Sequence, residues 1–134
     1  MMKYHLDTNI IIYALKGTYK EIENHFRSIP FESIVIPRIV VAEIEYGAKK
    51  SKNYKQTIEK YNEFINHFEI IDFDEKASRK FGDIRWTLEQ ERKQIGPYDL
   101  IIASTVLANE GVLVTHNTKE FERIKGLKIE DWTK

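Results

Sequence analysis

Three acidic residues lie at the start of, or within, apolar segments that are expected to form the core. Asp7 precedes the apolar run 10–15, Glu43 lies inside "PRIVVAEIEYGAKK", and Asp99 opens the apolar stretch of "GPYDLIIASTVLANEGV". A buried ionised carboxylate is costly unless it is paired, hydrogen-bonded or bound to a metal. These positions therefore predict either three separate structural roles or one shared chemical site.

Taken singly, each acid has a structural explanation. Asp7 could serve only as a cap or a turn residue. Asp99 falls in the first turn of a predicted helix, where acidic side chains stabilise the N-terminus through the macrodipole. Glu43 falls between Ile39 and Tyr46 on a helical wheel, on the apolar face, and could be hydrogen-bonded to a buried arginine or amide.

Taken together, Asp7, Glu43 and Asp99 predict a site for a divalent cation. Three carboxylates within hydrogen-bonding reach repel one another strongly. A hard cation relieves that repulsion, and oxygen ligands suit Mg²⁺, with Mn²⁺ as a substitute. Because Mg²⁺ keeps several waters, such a site could offer both a nucleophilic water and a grip on a phosphate.

Zinc is not expected at this site. The chain has no cysteine, so thiolate ligands are ruled out. Its histidines are not spaced as a ligand pair; they are His5, His25, His67 and His116.

Short predicted strands alternate with predicted helices along the chain. The strand segments are 3–7, 33–36, 69–73, 112–115 and 127–129. The helical segments are 8–17, 19–28, 37–48, 54–68, 74–93 and 98–109. Thr8 or Asn9 is expected to cap the first helix, Asp74 the long charged helix, and Pro37 is expected in the first turn of the third.

This alternation predicts an α/β fold with a central parallel sheet of four to five short strands flanked by helices. The length, 134 residues, favours one domain over residues 1–134. Such sheets bind ligands at the carboxyl ends of their strands. Residues 7–9 and 115–117 each follow a predicted strand, so we expect them at the same edge of the sheet.

Composition narrows the class of protein. There are 21 basic and 21 acidic residues, which argues against a protein that coats nucleic acid by bulk charge. No apolar run approaches the roughly 20 residues of a membrane span. A chain without cysteine fits a reducing compartment, and we expect a cytoplasmic protein with no membrane association.

A basic rim could still border the acidic site and favour a phosphodiester substrate. Each basic cluster, taken alone, is explained by solvation of a helix surface. The residues concerned are Lys49, Lys50, Lys52 and Lys55 after the Glu43 helix, and Arg79, Lys80, Arg85, Arg92 and Lys93 on the long helix. Tyr13, Tyr46 and Tyr98 could stack on bases or belong to the core or to a dimer interface.

Three stretches together resemble the PIN-domain ribonucleases, and more closely the VapC toxins of toxin–antitoxin pairs. They are "LDTNIIIYALKG", "VVAEIEYGAKKS" and "IGPYDLIIASTVLANEGVLVTHNTKEFERIKGLKIEDW". The resemblance covers nearly the whole chain in the right order. It implies that Asp7, Glu43 and Asp99 are the family's first three acids, with Gly96 as the glycine that precedes the third.

The remaining site positions are less regular. The family's polar companion falls on Thr8 or Asn9. Its fourth acid falls near Asn117, where this chain has an amide, and the nearest acid downstream is Glu120, one turn further on. The resemblance therefore implies a catalytic set of Asp7, Glu43, Asp99 and Asn117, and leaves open whether Glu120 takes the fourth role.

The resemblance also implies an activity and partners. It implies a Mg²⁺-dependent endoribonuclease, the toxin of a type II toxin–antitoxin pair, which inhibits translation by cutting RNA. Initiator tRNA, cut in the anticodon region, is the leading candidate. The cognate antitoxin would lie across the active-site groove, and a homodimer is expected.

Two other functions are compatible with part of the sequence. A degenerate PIN module could bind RNA or protein without cleavage, for which Asn117 is the only support. A haloacid-dehalogenase-like phosphatase also has an aspartate after its first strand, but it requires a second aspartate two residues later. This chain has Asn9 there, which argues against the phosphatase.

Overall fold

The computed structural model describes residues 2–134, and within that range the chain forms five strands and seven α-helices. The strands are β1 (Tyr4–Leu6), β2 (Ile34–Pro37), β3 (Glu69–Ile71), β4 (Val112–Val114) and β5 (Lys128–Glu130). The helices are α1 (Thr8–Lys16), α2 (Lys20–Ser28), α3 (Arg38–Lys50), α4 (Tyr54–Ile65), α5 (Glu75–Gln90), α6 (Pro97–Ala108) and α7 (Thr118–Phe121). This confirms the predicted α/β fold with a parallel sheet.

The five strands form one parallel sheet in the order β3-β2-β1-β4-β5. Tyr4 of the central strand is aligned with Ile34 on one side and with Val112 on the other. The chain builds outward from β1 through β2 and β3, then returns to place β4 on the opposite side. The carboxyl ends of β1 and β4 therefore flank the switch point at which such sheets bind ligands.

The inner strands are buried because helices cover the sheet. Leu6, Ile36 and Leu113, one from each of the three central strands, are fully buried. Helix α6 is apolar around most of its circumference, with Ile102 and Val106 fully buried. A helix of this kind belongs inside the molecule, and its exposed residues lie in the first turn, which carries Asp99.

Two helix starts differ from the sequence prediction. Asp7, rather than Thr8 or Asn9, is the N-cap of α1, and its Oδ1 accepts a hydrogen bond from the backbone N–H of Thr8 at 2.8 Å. Thr8 does not cap because its hydroxyl group is engaged elsewhere. Pro37 ends β2 and is the N-cap of α3, so the first helical residue is Arg38.

Other boundaries are shorter than predicted. Helix α4 ends at Ile65 rather than at 68, because the chain turns there to bring Phe68 into the core before β3. Asp74 caps α5 as predicted, accepting from the backbone N–H of Ala77 at 3.0 Å. The helix then ends at Gln90. The short helix α7 was not predicted, since four residues carry too little periodicity.

No helix within residues 2–134 combines the length and the apolar character needed to cross a bilayer.

Candidate active site

Asp7 is fixed at the junction of β1 and β4. Its backbone N–H donates to the carbonyl of Val114 at 2.9 Å, which extends the pairing of the two strands by one residue. Its Oδ1 accepts from the Thr8 backbone, and its Oδ2 accepts from the Thr115 hydroxyl at 2.7 Å. The side chain is buried, and burial raises its pKa although both hydrogen bonds act in the opposite direction.

Glu43 reaches the same place from α3. Its Oε1 accepts a hydrogen bond from the hydroxyl of Thr8 at 3.0 Å. Partial burial raises the pKa of Glu43, the Thr8 hydrogen bond lowers it, and the negative charge of Asp7 raises it further. Thr8 therefore links the first two acids, because its backbone N–H donates to Asp7 and its hydroxyl group donates to Glu43.

The prediction that Glu43 lies within the apolar face of α3 is wrong in detail. The buried stripe of the helix consists of Val40, Ile44 and Ala48. Glu43 lies beside this stripe and is partly exposed. Tyr46, which the helical wheel grouped with the apolar face, is 65% exposed. The surrounding elements leave this side of α3 uncovered, which a single-helix projection cannot show.

Asp99 and Glu120 form the other half of the site. Asp99 lies in the first turn of α6, and its protonated form donates a hydrogen bond to Glu120 on α7. Burial, this hydrogen bond and the charges of Asp7, Glu120 and Glu43 raise the pKa of Asp99 to about 7. The carboxyl group of Asp99 therefore loses its proton at a much higher pH than an ordinary aspartate does.

Glu120 is the anchored member of this pair. Its Oε1 accepts from the backbone N–H of Gly96 at 3.2 Å, and its Oε2 accepts from the Asn117 amide at 3.0 Å. Burial acts to raise the pKa of Glu120, but the hydrogen bonds from Asn117, Asp99 and Gly96 outweigh it and hold the pKa below its usual value. The charge of nearby Arg123 acts in the same direction.

Asp7, Glu43, Asp99 and Glu120 thus form one group, which we call the carboxylate cluster. The charges of the other three all raise the pKa of Asp99. Within residues 2–134, no lysine or arginine forms an ion pair with any of the four. The three acids singled out in the sequence do come together, and Glu120 joins them.

The donor set of the cluster fits a hard divalent cation. It consists of carboxylate oxygens, which Mg²⁺ and Mn²⁺ prefer. Across residues 2–134, no three acidic or histidine side chains are gathered into a ready-made metal cage. The carboxylates of Asp7 and Glu43 instead accept from threonine hydroxyls, and the raised pKa of Asp99 reflects the repulsion that a cation would relieve.

Thr115 lies at the sheet edge where residues 115–117 were expected, but sequence reasoning did not foresee that its hydroxyl group would contact an acid of the site. It is fully buried directly after β4, its hydroxyl donates to Asp7, and the same oxygen accepts from the Asn117 backbone N–H at 3.0 Å. One hydroxyl thereby fixes both Asp7 and the turn that leads to Glu120. The available signal was a polar residue immediately after a buried strand that aligns with β1.

The predicted basic rim is partly neutralised on α5. Arg79 pairs with Glu75 at 2.7 Å and Arg85 with Glu89 at 3.2 Å, both on the helix itself. At the end of α3, by contrast, the ammonium group of Lys50 lies 5.0 Å from the centre of the Tyr46 ring. Lys50 also lines a groove that contains Glu43.

Comparison with known proteins gives the family. The PIN-domain profile matches residues 4–127. The chain belongs to the PIN-domain family. Within this family the chain groups with the VapC-type toxin ribonucleases. Its enzyme class is that of the metal-dependent endoribonucleases.

Two curated relatives and one solved structure illustrate the likeness. Ribonuclease VapC2 of Rickettsia felis is 41% identical, over 99% of this chain and 100% of its own. The tRNA(fMet)-specific endonuclease VapC of Salmonella typhimurium is 36% identical, over 98% and 99%. The crystal structure of VapBC2 from Rickettsia felis bound to a promoter DNA fragment aligns with a TM-score of 0.90 and 40% identity, covering 96% of this chain and 98% of that one.

Proposed function

We propose that the carboxylate cluster is the active site of a Mg²⁺-dependent endoribonuclease that inhibits translation when it is free of its antitoxin. The observation that carries the proposal is the convergence of four acids at the carboxyl ends of β1 and β4, with no lysine or arginine paired to them in residues 2–134. A ribonuclease that holds its acids this way needs a cation to bring a phosphodiester close.

Each residue of the cluster has a proposed role. Asp7, Glu43 and Asp99 would hold the Mg²⁺ ion, for which Mn²⁺ can substitute. When bound, the ion supplies a more acidic water and neutralises phosphate charge. Glu120 completes the acidic set, and Asn117 acts by orienting Glu120 through its amide.

The hydroxyl groups and the proton on Asp99 keep the site prepared for a cation. Thr115 and Thr8 hold the carboxylate oxygens of Asp7 and Glu43 in fixed directions. In the absence of the ion the pKa of Asp99 is raised to about 7, so a proton on its carboxyl group occupies the place that the cation would take.

We infer that the substrate is RNA in a single-stranded loop, with the anticodon region of initiator tRNA as the first candidate. A relative 36% identical over nearly the full length is a tRNA(fMet)-specific endonuclease, which supports this choice. Loop bases can be splayed into a small site far more easily than the bases of a duplex.

We further propose the regulation and setting of this activity. The whole chain, residues 1–134, would act as one PIN domain in the cytoplasm, as a homodimer. A cognate antitoxin would inhibit the enzyme. The simplest inhibitory contact is an arginine of the antitoxin paired with Asp7, Glu43 or Asp99, since a guanidinium group can form two hydrogen bonds with one carboxylate. The likeness to the VapBC2 complex supports such a partner.

Replacing Asp7 by asparagine tests the proposed active site. Asp7→Asn keeps the shape of the N-cap but removes the charge, so RNA cleavage in Mg²⁺ should fall at least a hundredfold, roughly the loss of one strong electrostatic contribution. The matched control is Asp74→Asn, which changes the other aspartate N-cap, on exposed α5. Incubation with total RNA followed by mapping of new 5′ and 3′ ends measures both.

Two results would reject the proposal. Wild-type cleavage by Asp7→Asn would show that the cluster is not the active site. No cleavage of any RNA by the folded wild-type protein, together with retained RNA binding, would favour a degenerate PIN module. In cells, wild type but not Asp7→Asn should arrest growth, and co-production of the cognate antitoxin should restore it.

A further inference from the structure

A groove of about 580 Å³ opens directly beside the carboxylate cluster. Thr8 and Glu43 line one end, where they also belong to the site. Tyr46 and Tyr98 are among its lining residues, and Lys50 lies at the far end. The groove is therefore continuous with the proposed active site.

The two tyrosines leave unusually large ring surfaces in water. Tyr46 is 65% exposed and Tyr98 is 59% exposed. They come from different helices, α3 and α6, and meet at the same groove. Exposed aromatic rings beside a polar site are the surfaces on which unpaired nucleobases stack.

The floor of the groove is kept low by a glycine in the middle of α3. A Cβ atom added at Gly47 would meet no other atom within 4 Å, so packing within the chain does not require glycine there. Glycine is unfavourable in a helix interior and is often found where a ligand approaches the backbone closely. The open space above Gly47 is the space a stacked base would fill.

The spacing along α3 also suits a nucleotide. Tyr46, Gly47 and Lys50 follow Glu43 by three, four and seven residues, so all four share one side of the helix. The backbone of Lys50 lies about 10 Å from that of Glu43 along the axis. Its ammonium group lies 5.0 Å from the centre of the Tyr46 ring, so an aromatic surface and a cation stand together beside the cluster.

We propose that this groove is a nucleobase subsite of the ribonuclease. A base adjacent to the cleaved bond stacks on Tyr46 and Tyr98, and Lys50 contacts the neighbouring backbone phosphate. The inference rests on the proposed ribonuclease activity and adds the element that reads single-stranded RNA. RNA is favoured over a second copy of the chain because the groove opens onto the cluster and offers a cation to an anionic ligand.

The test is steady-state cleavage of a loop-containing RNA by ring-removing variants. Tyr46→Leu and Tyr98→Leu should each raise KM about fivefold to a hundredfold, the range associated with loss of a base–aromatic stack, with kcat changing much less. Tyr46→Phe and Tyr98→Phe keep the ring and should restore wild-type KM. Trp86→Leu is the control, since Trp86 is as exposed as Tyr46, at 65%, but lies on α5 outside the groove.

An abasic series locates the stacked nucleotide. RNAs lacking one base at each position around the cut are compared between wild type and the leucine variants. At the stacking position the missing base should abolish the difference in KM between them, whereas a merely structural role would leave it unchanged. The mass of each variant in solution is measured in parallel by sedimentation.

The outcomes are separable. Leucine variants with wild-type KM on every RNA would overturn the subsite while leaving the ribonuclease proposal intact. Leucine variants that lose the dimer, with KM restored when dimers are re-formed at high concentration, would instead assign the tyrosines to an interface and overturn the subsite. Absence of cleavage by the wild type would overturn the ribonuclease proposal first, and the inference with it.

Discussion

Two threonine hydroxyls decide how the acids of the cluster are held. Thr8 caps nothing itself but joins Asp7 to Glu43, and Thr115 joins Asp7 to the turn that carries Asn117. Both hydroxyls donate to carboxylate oxygens, so they stabilise the charged forms against burial. The site is therefore a set of acidic side chains that uncharged hydrogen-bond donors hold in place. Its negative charge remains available to a cation.

Asn117 is the residue whose change should reveal the charge balance most directly. Its amide donates to Glu120 at 3.0 Å, so Asn117→Asp removes a donor and adds a negative charge beside an existing one. Divalent ions bind more tightly as carboxylates are added, and we expect the affinity for Mn²⁺ to rise on the order of tenfold. Calorimetric titration of the RNA-free protein measures it.

The control for this change is Asn53→Asp. Asn53 caps α4 and accepts from the backbone of Gln56, so the substitution adds the same charge without touching the cluster. It should leave Mn²⁺ affinity within twofold of wild type. Equal Mn²⁺ affinities for wild type and Asn117→Asp would contradict the predicted increase.

Helix α3 is the element that joins catalysis to recognition. It buries Val40, Ile44 and Ala48 against the core, while its other side presents Glu43 to the cluster and Tyr46 to the groove. The helix is held by its buried stripe, so packing against the core does not dictate the residues of its exposed stripe. An exposed aromatic and an interior glycine on that stripe are therefore informative.

A pair of glycines separates the stability of a helix from its function. Gly47→Ala on α3 and Gly82→Ala on α5 should each stabilise the protein by about 0.5–1 kcal/mol, because alanine is the better helix former and neither new Cβ meets another atom. Only Gly47→Ala places a methyl group in the groove, so only it should raise KM for RNA, by several-fold. Thermal unfolding and cleavage kinetics on both variants measure the two effects.

The contrast between the two glycine variants carries the test. If Gly47→Ala and Gly82→Ala were equally stabilised and equally active, the groove floor would have no part in binding RNA. If Gly47→Ala were destabilised, the assignment of open space above the helix would be wrong.

At the scale of the whole molecule, the cluster makes stability depend on pH. The folded-state pKa of Asp99 is raised from 3.8 to about 7, so between these values the folded chain holds a proton that the unfolded chain has lost. The free energy of unfolding should therefore fall as pH rises from about 4 to about 7 and level off above. The raised pKa values of Asp7 and Glu43 act with the same sign.

Other groups oppose this trend, so the effect of Asp99 must be measured as a difference in the free energy of unfolding between two variants. Burial lowers the pKa of His5 to about 4, which makes stability rise with pH up to about 6.5. The lowered pKa of Glu120 also adds stability as pH rises, but only near and below its ordinary value of 4.5. Comparison of wild type with Asp99→Asn in metal-free buffer cancels the contribution of His5, and above about pH 4.5 the contribution of Glu120, which contacts Asp99, no longer changes with pH.

We expect Asp99→Asn to gain stability relative to wild type as pH rises from 4 to 7, by on the order of 1 kcal/mol once solvent screening of this half-exposed group is allowed for. Mg²⁺ at pH 8 should reduce that gap, since the cation replaces the proton as the neutralising partner. Urea unfolding across the pH series measures it. A gap that is constant with pH would show that Asp99 titrates normally and is not crowded by the cluster.

The sequence by itself determined the fold class and three of the four acids. Alternation of short apolar strands with helical periodicity requires parallel strands and crossovers, and acids at the start of apolar segments must meet a partner because unpaired burial is costly. Those are local properties of the chain. The predicted strands and helices accordingly match the observed ones except near their ends.

Tertiary structure alone decided the rest, because the remaining contacts join residues far apart in sequence. The hydroxyl of Thr115 meets Asp7 across 108 positions, and Glu120 meets Asp99 only because the turn after β4 folds α7 against the start of α6. Periodicity reports which face of an element is apolar, but not which faces its neighbours leave uncovered. That is why Tyr46 was assigned to the apolar face of α3, although in the folded chain it faces a groove.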